Sequence, residues 1–306
     1  MRDAFIDRLT KLAEVNNDVF LITADLGFGV LENFSKKFPN QFLNAGVSEQ
    51  NMTGVATGLA LDGYRVFTYS IANFATLRCL EQIRNDACYH DANVNVVSIG
   101  GGFGYGSLGM SHHATEDLSI MRAIPNIKVF APGDDFEAAE ATETAYVTNG
   151  PSYLRLERAP VNLQIDKKRS FNLGEANVLV DGTDLSVITS GGITEIAVEV
   201  AKELAEKNIS IRVISMHTVK PIDEKAILQA VRETQCLITL EENNLIGGLG
   251  SAVSEVCMDY GVYPKSFKRL GLKDLFSSVV GTQNYLRSFY KIDKEILMKT
   301  IMQIIT

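Results

Sequence analysis

Nowhere in the 306 residues does an apolar run approach the ~18 residues that a membrane-crossing helix needs, so no membrane span is expected. The chain passes from Met1 straight into an amphipathic helical pattern without an apolar export segment, and a protein that is not exported is expected. Cysteine is scarce. Cys79, Cys88, Cys236 and Cys257 form no C-x-x-C pair and sit in apolar or helical stretches, which argues against disulfides or a thiolate metal site and fits reduced thiols in a cytoplasmic protein. Glycine and proline, 24 and 7 residues, are too few for a fibrous or low-complexity chain. Basic runs are missing too: Lys and Arg number 29 against 37 Asp and Glu, a net charge of -8, which excludes nucleic acid as a partner. A small phosphorylated substrate stays possible, because a local Arg/His pocket binds phosphate inside an acidic protein.

What is present is a globular pattern, 46% hydrophobic and 22% charged, of a length that suits two domains of about 150 residues. Phe5, Ile6, Leu9, Leu12 and Ala13 recur at helical spacing, and Val19 to Thr23 then reads as a short buried strand. Strand-like runs at 42–47, 65–70, 93–99, 127–131 and 152–157 alternate with helical patterns near 50–61, 75–89, 116–123 and 135–147. Such alternation predicts an α/β fold, a doubly wound and mostly parallel sheet with helices on both faces. The pattern breaks around 159–175, where Asp166, Lys167, Lys168 and Arg169 form a charged stretch suited to a linker. A smaller α/β domain follows, with strands at 185–190, 211–216 and 236–240 and helices near 194–207, 222–234 and 250–259. The expected domains are 1–165 and 175–306.

The stretch from Asn44 to Met52, N-A-G-V-S-E-Q-N-M, ends a strand and opens a helix. Ser48 is placed to cap that helix and Glu49 to sit in its first turn, where an acidic residue also simply complements the helix dipole. The segment 101–113, G-G-F-G-Y-G-S-L-G-M-S-H-H, contains G-x-G-x-x-G at 104–109. As a dinucleotide fingerprint it is weak: no acidic residue ends a strand about 20 residues on, and it falls in a late strand–helix unit rather than the first. His112 and His113, adjacent on a glycine-rich loop, are functional candidates or an exposed polar loop. His90 and His217 are read as structural.

G-V-S-E-Q-N-M closely resembles the glutamate motif of the transketolases and of 1-deoxyxylulose-5-phosphate synthase. R-D-A-F at the start, T-A-D-L-G at 23–27, L-R-C-L-E-Q-I-R at 77–84, G-M-S-H-H-A-T-E-D-L at 109–118 and L-E-R-A-P at 156–160 follow in the order of that family. Further on, S-G-G-I-T-E-I-A at 190–197, H-T-V-K-P-I-D at 217–223 and E-E-N-N-L-I-G-G-L-G at 241–250 are similar to its C-terminal domain.

The resemblance implies a pyrimidine-binding domain followed by a transketolase-type C-terminal domain, with thiamine diphosphate as cofactor. Glu49 would be the carboxylic acid that bonds N1′ of the aminopyrimidine and favours the imino tautomer able to take the C2 proton. Val47 and Met52 would give it apolar surroundings. His112 would contact the donor's carbonyl and hydroxyls, and His113 matches the second histidine of the deoxyxylulose phosphate synthases. Arg158 and Arg2 would bind a sugar phosphate, although Arg2 could equally be a solvated terminal charge.

Several positions depart from the family. The aromatics that flank the pyrimidine fall on Ala75 and Ala72, leaving Phe74, one position away, either to stack on the ring or to belong to the core. A hydroxyl-recognising aspartate is Leu108, and a phosphate-binding serine is Gly29, so donor choice does not carry over. The family's G-D-G-x(about 25)-N segment for diphosphate and Mg²⁺ is absent. Gly133, Asp134 and Asp135 come closest, at a strand-to-helix turn of the wrong domain. A partner subunit equivalent to the N-terminal half would supply the Mg²⁺ site, in an α₂β₂ split transketolase moving a two-carbon ketol unit from a ketose, in particular a sugar phosphate, to an aldose-type acceptor. Competing expectations are a deoxyxylulose-phosphate-synthase-like enzyme, the β subunit of a 2-oxo-acid dehydrogenase, and a non-catalytic subunit retaining the fold.

Overall fold

A computed structural model describes residues 1–165 and 169–305; Asp166, Lys167 and Lys168 of the expected linker lie outside the described residues. Two sheets organise the chain. Strands β1 (Val19–Thr23), β2 (Phe42–Asn44), β3 (Arg65–Ile71), β4 (Val94–Ile99), β5 (Lys128–Phe130) and β6 (Ser152–Leu156) build the first. Strands β7 (Asn177–Val180), β8 (Leu185–Thr189), β9 (Ile211–Ser215), β11 (Cys236–Asn244) and β12 (Ser266–Leu272) build the second. The remaining strand, β10 (Thr218–Lys220), comes from the second half of the chain but joins the first sheet.

The seven-stranded sheet runs β10-β5-β6-β4-β3-β1-β2, parallel throughout except for β10, which pairs antiparallel with β5. All six residues of β4 and all five of β6 are buried, as expected of central strands covered on both faces. The helices Arg2–Val15 and Asp135–Val147 cover one face, and Glu49–Leu61 lies against the other. The five-stranded sheet runs β12-β11-β8-β9-β7, with only β7 antiparallel.

The halves meet at the carboxyl ends of β6 and β11 through buried charge. Arg155 is sealed in: its Nε donates to Asp117 Oδ2 at 2.9 Å and its Nη2 to the Glu242 carbonyl at 2.7 Å. The Glu242 carboxylate pairs with Arg287, accepts the Phe103 N–H at 2.6 Å and accepts Gln283 Nε2 at 3.0 Å. Gln283 also reaches Glu157 at 3.2 Å, and burial followed by the nearby Glu242 charge pushes the Glu157 carboxyl above its ordinary range. Charges this deep are costly without partners, and here Arg155 and Arg287 are each paired with a carboxylate.

The contact explains the glycines of the 101–113 loop. A Cβ on Gly102, at φ +57°, would stand 2.4 Å from Glu242 Oε1, and one on Gly101 2.4 Å from Arg155 Nε. Gly102 lies where the loop is pressed against the other half, and Gly101 where it passes over the Arg155 side chain that bridges to it. The loop opens no helix that could cradle a pyrophosphate; only a single 3₁₀ turn, Gly106–Leu108, forms.

Candidate active site

In an open parallel sheet, ligand sites lie beyond the carboxyl ends of the strands, and the candidate residues gather there. Glu49 is the first residue of its helix, with only 3% of its side chain exposed. Ser48 precedes it but does not cap the helix: its hydroxyl donates to the Ala45 carbonyl at 2.9 Å, correcting the expected role. Met52 is fully buried, whereas Val47 is 76% exposed and shields nothing in this chain.

Glu49 meets a residue that sequence reasoning missed. Arg78 Nη1 donates to Glu49 Oε2 at 2.8 Å, and its guanidinium carbon stands 4.3 Å from the centroid of the Phe74 ring. The expected helix over 75–89 is broken here: Ala72–Ala75 is one helical turn, Leu77–Cys79 is 3₁₀, and Ile83–Cys88 is a π-helical stretch. Phe74 is half-buried on this broken segment, with one face under Arg78 and the His112 ring edge-on to it at 5.0 Å between centroids. Ala72 and Ala75 are buried on either side of it. Asn73 fastens the segment to the histidine loop, its Nδ2 donating to the His113 carbonyl at 2.6 Å and to that of Ser111 at 3.3 Å.

His112 leads on to Tyr105, 6.3 Å away between ring centroids, and Tyr105 lies 5.2 Å from the guanidinium carbon of Arg158. The row Glu49, Arg78, Phe74, His112, Tyr105, Arg158 is thus continuous. Burial, then the neighbouring His113, depresses the His112 pKa, so a neutral ring is favoured near neutral pH. Ser111 Oγ lies 3.0 Å from Nδ1, and in the tautomer that accepts the hydroxyl proton there, Nε2 carries the ring proton and is available as a donor.

Arg158 and Arg2 line one cavity of about 240 Å³ together with Phe28, Tyr69, Ser70 and Tyr105. Arg158 is exposed and Arg2 partly exposed, the latter also paired with Asp3 at 3.2 Å. His113 is oriented differently from His112. It is buried, with Nε2 3.0 Å from the Gly106 carbonyl and Nδ1 2.7 Å from Ser277 Oγ of the second half. Leu108 is half exposed beside this loop, and Gly29, at φ +76°, has open space around the position of a Cβ.

A buried carboxyl group near an aromatic ring suits a flat heteroaromatic ring with a nitrogen at its edge, and the planar Arg78 cation contacts both groups. Among the described residues no cluster of three or more His, Cys, Asp or Glu could hold an ion. Asp134 caps the helix Asp135–Val147 through the Glu137 N–H and pairs with Arg169 at 2.6 Å, while Asp135 accepts the Val161 N–H at 3.0 Å. Among the described residues no helix is long and apolar enough to cross a membrane, and Cys79, Cys88, Cys236 and Cys257 are all free.

Two family models match. The transketolase pyrimidine-binding domain covers residues 1–164, and the transketolase C-terminal domain covers 174–296. A relative from Methanocaldococcus jannaschii, named as a putative transketolase C-terminal section, is 37% identical over 306 residues, covering 99% of this chain and 95% of its own length. A relative from Phocaeicola vulgatus, named as one of the subunits of apulose-4-phosphate transketolase, is 34% identical, with 99% and 97% covered. Among solved structures, one described as a split gene transketolase, inactive beta4 tetramer, superposes with a TM-score of 0.90 at 35% identity, covering 99% of this chain and 97% of that one.

Proposed function

This chain belongs to the transketolase family, and from that premise we propose that it is the C-terminal-half subunit of a split, thiamine-diphosphate-dependent transketolase. It would transfer a two-carbon ketol unit from a ketose phosphate to an aldose-type acceptor. The observation that carries the reading is the buried Glu49 carboxyl group and the Phe74 ring, both in contact with Arg78, at the head of a row that ends on Arg158.

When bound, thiamine diphosphate would supply the nucleophilic carbon that ketol transfer needs. Glu49 would hold the aminopyrimidine at N1′ and Phe74 would support its face. His112, in the tautomer that carries its proton on Nε2, would donate to the donor's carbonyl oxygen as negative charge develops there. Arg158 and Arg2 would hold the anionic end of the sugar in the cavity they share. The Phocaeicola vulgatus relative is named for a sugar phosphate, which supports an anionic donor here. His113, with both ring nitrogens engaged, would anchor the loop that presents His112.

The diphosphate and Mg²⁺ would be held by a partner subunit carrying a G-D-G-type segment, completing an α₂β₂ assembly, because Mg²⁺ needs near-octahedral oxygen ligands shared between protein and phosphates. Calorimetric titration of thiamine diphosphate with Mg²⁺ into this chain, alone and mixed with that partner, tests the reading. Tight binding and ketol transfer are expected only for the mixture. Ketol transfer by the isolated chain would sink the split-enzyme proposal.

A further inference from the structure

An aminopyrimidine seated by a carboxyl group and an aromatic ring is flat, meets the carboxyl group through a nitrogen at its edge and lays a face on the aromatic. A guanidinium group has the same three properties. Arg78 makes both contacts at once, the ion pair to Glu49 Oε2 at 2.8 Å and the approach to the Phe74 ring at 4.3 Å. It is built to leave as well. Its side chain is 45% exposed, and it stands on the 3₁₀ turn between two short helical pieces rather than inside a continuous helix.

We propose that Arg78 gates the cofactor seat: it occupies the place of the aminopyrimidine between Glu49 and Phe74 and withdraws into solvent as the ring enters. The gate rests on the reading of Glu49 and Phe74 as the aminopyrimidine's partners. The buried carboxylate keeps a counter-charge whenever the ring is elsewhere, and a buried carboxylate without a partner is costly. Cofactor entry therefore exchanges one planar partner for another, with one proton taken up from solvent to lie between Glu49 and N1′, and never leaves Glu49 bare. The exchange lowers apparent cofactor affinity, because a fraction of molecules must first open the ion pair.

The test uses the chain assembled with its N-terminal-half subunit and reads cofactor binding rather than turnover. Thiamine diphosphate with Mg²⁺ is titrated calorimetrically, and its association is followed by stopped flow, in the wild type, Arg78→Gln and Arg78→Lys. Arg78→Gln should associate faster and bind about three- to tenfold more tightly, the range expected from releasing a half-exposed ion pair. Arg78→Lys, which keeps the charge but loses the planar face, should fall between. Weaker binding by Arg78→Gln would make Arg78 a ligand of the cofactor and overturn the gate, as would unchanged association. A Glu49→Gln arm separates the two levels. If that variant leaves the circular-dichroism band of the bound aminopyrimidine unaltered, the cofactor seat is wrong and the gate falls with it. If it alters the band while Arg78→Gln changes nothing, the gate alone is wrong.

Discussion

His112 and His113 are neighbours in the chain with different partners: the His112 ring meets Phe74 edge-on at 5.0 Å, while His113 Nδ1 lies 2.7 Å from Ser277 Oγ, 164 residues away. A carbonyl oxygen can only accept, so His113 Nε2 must donate to Gly106, and in the neutral ring Nδ1 takes the Ser277 proton. One histidine faces the candidate site and the other ties the loop to the second half of the chain.

The two alanine variants should therefore fail in different ways. His112→Ala is expected to lower kcat for a ketose donor by a factor on the order of 10², with little change in melting temperature. His113→Ala removes two buried hydrogen bonds and should cost about 2 kcal/mol of stability. Steady-state kinetics and thermal denaturation on both variants would decide it. A stable, fully active His113→Ala protein would contradict the anchoring role.

Glu49→Ala in the assembled complex should slow hydrogen–deuterium exchange at the cofactor C2 by a factor on the order of 10² or more, even where cofactor still binds. The exchange rate, followed by NMR after acid quench, gives the answer directly. An unaltered rate would remove Glu49 from cofactor activation.

Leu108 is 53% exposed next to the histidine loop and offers no hydrogen bond to a sugar hydroxyl. Donor preference should therefore differ from that of transketolases with an aspartate there, and Leu108→Asp should reorder a panel of ketose phosphates by ten- to a hundredfold, about 1–3 kcal/mol for one polar partner. Identical preferences before and after the substitution would show that the position does not face the donor.

His217 is fully buried and stacked on Phe171 at 4.0 Å. Burial, with the Arg169 charge adding to it, depresses its pKa to about 4 from the ordinary 6.5. Between these values the unfolded chain binds the extra proton and the folded chain does not. The stabilising contribution is thus complete above pH 6.5 and lost as pH falls through about 4. The stability difference between wild type and His217→Gln should change by about 3 kcal/mol across that window, in the direction of a relatively weaker wild type at low pH. Denaturant titrations at pH 7, 5.5 and 4.5 would reveal a flat difference if His217 were not responsible.

How much of this could be read in advance depended on how local the signal is. Buried strands such as β1, β4 and β8 show as apolar runs bounded by turns, because both of their faces are covered. Strand β10 was invisible: Thr218–Lys220 is three residues long, and its partner is a strand about 90 positions earlier. Strand β12 was missed because its S-F-K-R-L-G-L pattern mixes exposed charge with apolar residues at a sheet edge. At the site, Glu49 and His112 were legible through motifs. Arg78 lies inside the L-R-C-L-E-Q-I-R motif, four residues after Phe74, a spacing at which side chains commonly meet. Its ion pair with Glu49 spans 29 residues and is written nowhere in the local pattern.

The antiparallel strand β10 also bears on how the protein is made and how far it can be re-engineered. Until residues 218–220 leave the ribosome, β5 is an open border of the nascent first sheet, a ready template for pairing with another chain. A chimera that exchanged everything after the linker would carry off the outermost strand of the first sheet with it, together with the Lys220 side chain that reaches the carbonyl of Arg122 at 3.2 Å. Viable hybrids between relatives should accordingly have their crossover after β10 rather than at the linker, or keep the β5–β10 pair from a single parent.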